Sequence, residues 1–400
     1  MSFSLLVLSL ILIIDYTGAG YHYAPFLNKL SITLIFSLLL FLYLIIKNDN
    51  KLLLEKLPTK IFIVLTLLTA GAMAYGFIKS NAIEHTKQLI GYCFLFVSIY
   101  YITLNINNFR FVVKVIFFVN LLLALLNRGM YFAERVGEYK AGYFLMDGND
   151  FAWSLLIALP LGIYLAVSSK SIISKLIYYA CSAVMALAVF GTQSRGAFIA
   201  LVAIFIFYGI KVSKRKVLFF GLMGVVAISL ISISPGSYLE RIKTIKDYKS
   251  DSSAMGRLNA WGAALDMAVD NPVLGVGAGS FNSAYGRKYK KSSAPDKWIS
   301  VHSIYLKTLA EYGFTGLFLL VWLLRSLWKT NKNGYNSMVD NQESDISYSA
   351  LPLILNASLL GFATAGVFLG GLGYPHIFVI AALTLSANSI VSDRMNREVA

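Results

Sequence analysis

Three residues far apart in this chain carry side chains that together could handle an anionic leaving group. Arg195 interrupts the apolar run "VFGTQSRGAFIALVAIFIF", Arg257 lies in "DSSAMGRLNAWGAALDMAVDNPVLGVGAGSF", and His302 opens "SVHSIYLKTLAEYGFTGLFLLVWLL". A guanidinium stays charged at any physiological pH, and its planar fork binds phosphate oxygens in pairs. A neutral imidazole accepts a proton near neutral pH, as a general base must. Two arginines and one base suit a reaction in which a hydroxyl attacks and a diphosphate leaves. The arginines would stabilise the charge growing on the leaving group while the histidine takes the proton. Each residue alone has a plainer reading. Arg195 can snorkel to headgroups, Arg257 can be a surface arginine at a helix start, and His302 can be structural. What joins them is that all three map to the same rim. No His or carboxylate stands three or four residues after His302, so the spacing indicates no zinc site.

Other stretches carry weaker signals. "YFLMDGNDFAWSLLI" brings Asp147, Asn149 and Asp150 to the start of an apolar helix. Helix capping accounts for them, and support of the site by Asn149 and Asp150 is the alternative. A divalent metal on these carboxylates is the weaker reading. "NRGMYFAERVGEYKAGYF" sets Arg128, Arg135 and Lys140 among aromatics, as a sugar path or as an interfacial belt. "YGRKYKKSSAPDKW" concentrates Arg287, Lys288, Lys290, Lys291 and Lys297, which suits contacts to an anionic acceptor or to anionic headgroups. The glycines of "GVGAGS", at 275, 277 and 279, follow a helix rather than joining a strand to one, so they predict a tight turn and no dinucleotide site.

The elements that must position these residues are set by composition. Hydrophobic residues make up 57% of the 400 and charged residues only 14%, with mean hydropathy +0.67; soluble domains carry about a quarter charged. The apolar residues fall in blocks of the roughly 17–25 residues that a spanning helix needs, and alternating strands of a barrel are absent. The pattern predicts an all-α integral membrane protein with about twelve transmembrane helices, near 2–14, 30–46, 61–78, 88–106, 111–126, 150–168, 176–191, 196–210, 217–234, 305–324, 349–368 and 377–391. "MSFSLLVLSLILIIDY" lacks a basic start and a small-residue cleavage site, so it reads as a span and not as a removable signal. The net charge of +15 is divided between the two sides and does not point to nucleic acid. Connectors on one side hold 17 Lys and Arg against 7 in the short connectors of the other, which puts both termini in the cytoplasm and the loop 235–300 outside. Three regions follow: spans one to nine over 1–234, a loop domain with an amphipathic helix over 235–300, and the last spans with a cytoplasmic tail over 301–400. On that amphipathic helix Leu258, Trp261, Leu265 and Ala268 share the face expected to pack, with Asn259, Asp266 and Asp270 opposite. Asn271-Pro272 should end it. "NGYNSMVDNQESDISYS" reads as a polar, flexible linker. Cys93 and Cys181, without CxxC spacing, read as small buried hydrophobes.

Three segments, "TQSRGAFIAL", "SAMGRLNAWGAALDMAVDNPVLGVGAGSF" and "VHSIYLKTLAEYGFTGL", resemble the signature of the O-antigen ligase and polymerase superfamily of multi-spanning glycosyltransferases. The resemblance runs from about 189 to 324, and the layout of spans with one large loop fits it over the whole chain. It implies a GT-C-like architecture in the bacterial inner membrane, and transfer of a glycan from undecaprenyl diphosphate on the periplasmic face by an inverting, metal-independent route without a cofactor. It puts Arg195 and Arg257 on the diphosphate and makes His302 the base. O-antigen ligase, with lipid A–core as acceptor, is the leading expectation. An O-antigen polymerase and a protein O-oligosaccharyltransferase are the alternatives within the class, and a transporter of polyprenyl-linked glycan is the alternative outside it. The sequence leaves the oligomeric state open.

Overall fold

A computed structural model of the chain describes residues 2–19, 32–48, 51–131, 139–142, 145–211, 215–217, 219, 221, 224, 252–290, 300–341 and 345–399. Among these the backbone is helical, without strands. The long helices in chain order are α1 (Phe3–Thr17), α2 (Ile32–Lys47), α3 (Leu57–Tyr75), α4 (Lys79–Ile102), α5 (Ile106–Leu126), α6 (Gly148–Val167), α7 (Ile172–Gly191), α8 (Arg195–Lys211), α9 (Ser252–Asp270), α10 (Ile304–Asp340), α11 (Leu351–Ala365) and α12 (His376–Val399). By length and composition, seven segments can cross a membrane: α3, α5, α6, α7, α10, Ile346–Ala365 and His376–Asn396. Each expected span within the described residues coincides with one of the helices. Most of the expected span 217–234 lies outside them, as do Lys291, Lys297, Arg135 and His22.

Helix α6 is the hub. Its residues are buried nearly all round, from Phe151 and Trp153 to Leu165, as befits a helix inside a bundle. It packs against α5, α7 and α11. The outer helices instead turn large apolar side chains outward, such as Leu39 and Tyr43 on α2 and Leu67 on α3. Polar pairs bridge the interior helices: Ser154 Oγ donates to Asn120 Oδ1 at 2.6 Å, Thr103 Oγ1 to Ser386 Oγ at 2.8 Å, and Asn331 Nδ2 to Asn356 Oδ1 at 3.0 Å. In a hydrocarbon surrounding such bonds hold helices together where the hydrophobic effect cannot.

The expected linker at 333–349 is a correction. Helix α10 runs on to Asp340, and a further helical turn covers Ile346–Ser349. Packing overrides the polar composition here: Met338 is buried with Val391 and Met395 of α12, and Gly334 lies beside Pro352.

One arrangement fixes the turn after α9 to the bundle. Gly313 interrupts α10 with φ 66° and ψ −166°, which frees carbonyls that an unbroken helix would occupy. The turn after α9 fills the gap: Val276 N–H donates to Ala310 O at 2.9 Å, Gly277 N–H to Glu311 O at 3.1 Å, and Phe314 N–H to Pro272 O at 2.7 Å. Glycine is required for this approach. A β-carbon on Gly275 would meet the Glu311 backbone, and one on Gly277 would stand 2.5 Å from the Gly76 Cα. Both have positive φ, as does Gly279, which passes over the His85 ring. The "GVGAGS" segment is therefore the tight turn that its sequence predicts.

Candidate functional site

Four helices begin at one rim. The α6 start is tied to the 366–375 connector, since Tyr374 Oη donates to Asp150 Oδ2 at 2.7 Å, and to the end of α11 before it, where Trp153 Nε1 donates to Phe362 O at 3.1 Å. The α10 start is tied to the same connector, with Ile304 N–H shared between Gly366 O at 2.9 Å and Leu369 O at 3.1 Å. The α8 start is pressed onto it: a β-carbon on Gly196 would stand 2.6 Å from the Phe368 Cβ. Helix α12 begins where the connector ends. Helix N-termini carry unsatisfied N–H groups and partial positive charge, so their convergence favours an anion.

The three residues singled out by their chemistry come to this rim. Arg195 is the first residue of α8, half-buried, behind the Ser194 cap whose Oγ accepts from Ala197 N–H at 3.3 Å. Arg257 lies in α9, one turn before Trp261. The Trp261 ring lies 6.3 Å from that of Phe368, and its Nε1 donates to Val301 O at 2.9 Å. His302 is the next residue. Trp261 and Phe368 thus connect the Arg195 helix start, the Arg257 helix and the His302 turn.

The backbone at this rim is strained. Among the described residues, Gln193 (φ 56°) and His302 (φ 45°) are the non-glycine residues with positive φ. Such conformations cost of order 1–3 kcal/mol each and persist where the surroundings over-determine them. Around His302 the determinants are visible: Val301 is buried and bonded to Trp261, while Ser303 Oγ caps α10 by accepting from Leu306 N–H at 3.4 Å.

Electrostatics set the charge state of His302. Burial pushes its pKa below the ordinary imidazole value, the Arg257 guanidinium pushes the same way, Asp147 opposes, and Lys307 adds a smaller downward push. The ring is thereby biased toward the neutral form, the one able to take a proton. Asp147 caps α6, with Oδ1 accepting from Asn149 N–H at 2.7 Å. This makes the capping reading of Asp147 concrete and leaves Asn149 beside it. Asp150 is buried, with the Gly370 backbone N–H as well as the Tyr374 hydroxyl directed at its carboxyl group.

Lys307 is the residue that sequence reasoning missed. It stands one turn into α10, its Nζ 3.2 Å from where a β-carbon on Gly371 would be, within electrostatic reach of His302 and of Asp150. A signal was present. A lysine in the first turns of an apolar helix opposes the helix dipole and sits at a depth where cations are costly. Trp261 and Phe368 had no such signal, because their role depends on contacts across three segments.

One other expectation comes out differently in part. Of the expected α9 face, Trp261 and Ala268 pack inward, but the rest of the packed face is made of small residues and Met267: Ala260, Ala263, Ala264 and Met267 set against Val276, Phe281, Val301 and Ala310. Leu265 and Val269 point outward at 51% and 74% exposure, and Leu258 is exposed too. Small side chains let α9 approach α10 and its turn closely, and this overrides simple apolar size. Arg287, Lys288 and Lys290 sit at the far end of α9. Lys288 Nζ is 3.0 Å from Asp270 Oδ2, which also accepts from Tyr289 Oη at 2.8 Å. At ~1.5 Å per residue, Asp270 is roughly 20 Å along the helix from Arg257. This cluster is separate from the Arg257–His302 rim.

The arrangement can hold an anion on cations and helix N-termini beside an uncharged base. Residues 180–321 match the family model described as O-antigen ligase, a segment that contains Arg195, Arg257, His302 and Lys307. No curated protein matches the chain.

Proposed function

With residues 180–321 matching the O-antigen ligase superfamily and a set of apolar helices that marks a membrane protein, we propose that this chain is an O-antigen ligase. It transfers glycan from undecaprenyl diphosphate to lipid A–core at the outer face of the bacterial inner membrane. The site residues are Arg195 and Arg257 on the diphosphate and His302 as base. The acceptor hydroxyl oxygen attacks the anomeric carbon from the face opposite the leaving group, so the carbon inverts. The bond from that carbon to the diphosphate oxygen breaks, and the hydroxyl proton passes to an imidazole nitrogen of His302. Negative charge grows on the departing diphosphate, where two guanidinium groups and the N-termini of α8 and α10 oppose it. Asn149 and Asp150 support this rim from α6, and the loop cluster at 287–291 meets an anionic acceptor or headgroups. No metal ion enters this reading.

The observation that carries the proposal is His302 itself: held in a left-handed turn, biased to the neutral form, with Arg257 within electrostatic reach. The test is a transfer assay in detergent with EDTA, using undecaprenyl-diphosphate-linked glycan and lipid A–core. Glycan should appear on lipid A–core, should be lost in His302→Ala with donor binding kept, and should be lost with donor binding in Arg195→Ala. Lengthened carrier-linked glycan with untouched lipid A–core would make the protein a polymerase instead. Normal transfer by His302→Ala would overturn the base.

A further inference from the structure

The end of α10 remote from His302 carries a second feature. Between α10 and the start of α3 lies a cleft of about 280 Å³, lined by Leu57, Trp322, Arg325, Ser326, Lys329, Thr330 and Asn333. Arg325 and Lys329 are exposed one turn apart on α10, and neither has a carboxylate partner among the described residues. Ser326 and Thr330 add hydroxyl donors beside them. The cleft thus offers two cations and two hydroxyls, a set that binds a phosphate group.

Depth and surroundings identify which phosphate. Arg325 lies 21 residues beyond Ile304, at most about 31 Å along a helix kinked at Gly313, and the hydrocarbon core is about 30 Å thick. If the rim holding His302 lies at one interface, Arg325 lies at the other. Trp322, 42% exposed, stands at the level where indoles collect. Above it the same face of α10 carries Phe318, 60% exposed, and Phe314; the Phe318 and Trp322 rings are 5.4 Å apart. An outward aromatic track therefore leads straight to the cation pair.

We propose that this cleft binds an anionic phospholipid of the leaflet opposite the catalytic rim. Its phosphate sits between Arg325 and Lys329, and an acyl chain lies along Trp322, Phe318 and Phe314. The site is distinct from the diphosphate clamp and does not depend on which glycan is transferred.

Native mass spectrometry of the full-length protein, titrated with phosphatidylglycerol or with phosphatidylcholine of the same chains, tests this. Phosphatidylglycerol should bind the parent protein more tightly. Arg325→Gln with Lys329→Gln should weaken it roughly thirtyfold, the effect of two headgroup cations, and weaken phosphatidylcholine, whose phosphate is offset by its own choline, much less. The same pair of changes at Lys170 and Lys175, around the start of α7, should have little effect. Phe318→Ala should weaken phosphatidylglycerol without altering its preference over phosphatidylcholine. Unchanged phosphatidylglycerol affinity in the Arg325/Lys329 variant would overturn the site. Displacement of the lipid by millimolar inorganic phosphate would make it a free-anion site and overturn the lipid assignment. Circular dichroism of each variant guards against reading a folding defect as lost binding.

Discussion

Replacing Asp147 by Asn should lower the pH at which His302 takes up its proton, because Asp147 is the charge that opposes the downward pushes of burial, Arg257 and Lys307. A base must be neutral to act. Since the folded protein holds this imidazole below its ordinary pKa of about 6.5, transfer should be flat through neutral pH and fall only as pH drops through that lowered value. In a kcat/KM profile the acid limb should have its midpoint below 6.5, lower still in Asp147→Asn and higher in Lys307→Gln. A parent midpoint at or above 6.5 would sink the argument. Trp261→Phe keeps the ring but deletes the bond to Val301 O. A carbonyl deprived of its partner costs about 1–3 kcal/mol when buried, and here the loss bears on the turn that orients His302. The expected result is a lower kcat with donor KM little changed, measured by steady-state transfer.

At the level of elements, the join between the 271–281 turn and α10 should be sensitive in a residue-specific way. Gly313→Ala places a β-carbon 2.5 Å from Pro272 O on a backbone with φ 66°. With ψ −166° this backbone region is open almost only to glycine and costs an ordinary residue about 1–3 kcal/mol, and the clash adds to it. Gly262→Ala, in the middle of α9 with open space around it, should instead stabilise by about 0.5–1 kcal/mol. Thermal unfolding in detergent should move in opposite directions for the two. Much at this level was legible in the sequence: helices from apolar run length, the end of α9 from Asn271-Pro272, the turn from its glycines. The packed face of α9 was not, because it is decided by what lies opposite, a closely approaching helix that selects Ala263 and Met267 over Leu258 and Leu265. Nor was the continuation of α10 to Asp340, which rests on Met338 meeting residues of α12 more than fifty positions later.

For the molecule as a whole, the division of basic residues between connectors predicts sidedness that chemistry can read. In a background lacking Cys93 and Cys181, Asn282→Cys should react with an impermeant maleimide added outside, whereas Lys332→Cys should react only after the membrane is opened. The reverse pattern would invert the topology and place the His302 rim in the cytoplasm. The site was legible at this scale only in outline. Residue chemistry singled out Arg195, Arg257 and His302, but the contacts through Phe368 and Trp261 join segments that no periodicity relates. The glycine-lined seam between the outer turn and the broken helix has a further consequence. Gly275, Gly277 and Gly313 are held to glycine by backbone against backbone, so related chains should keep them as strictly as any reactive side chain, for a reason that lies in the fold. Variants at these positions should be cleared by cellular quality control, leaving cells without the protein rather than with an inactive copy of it.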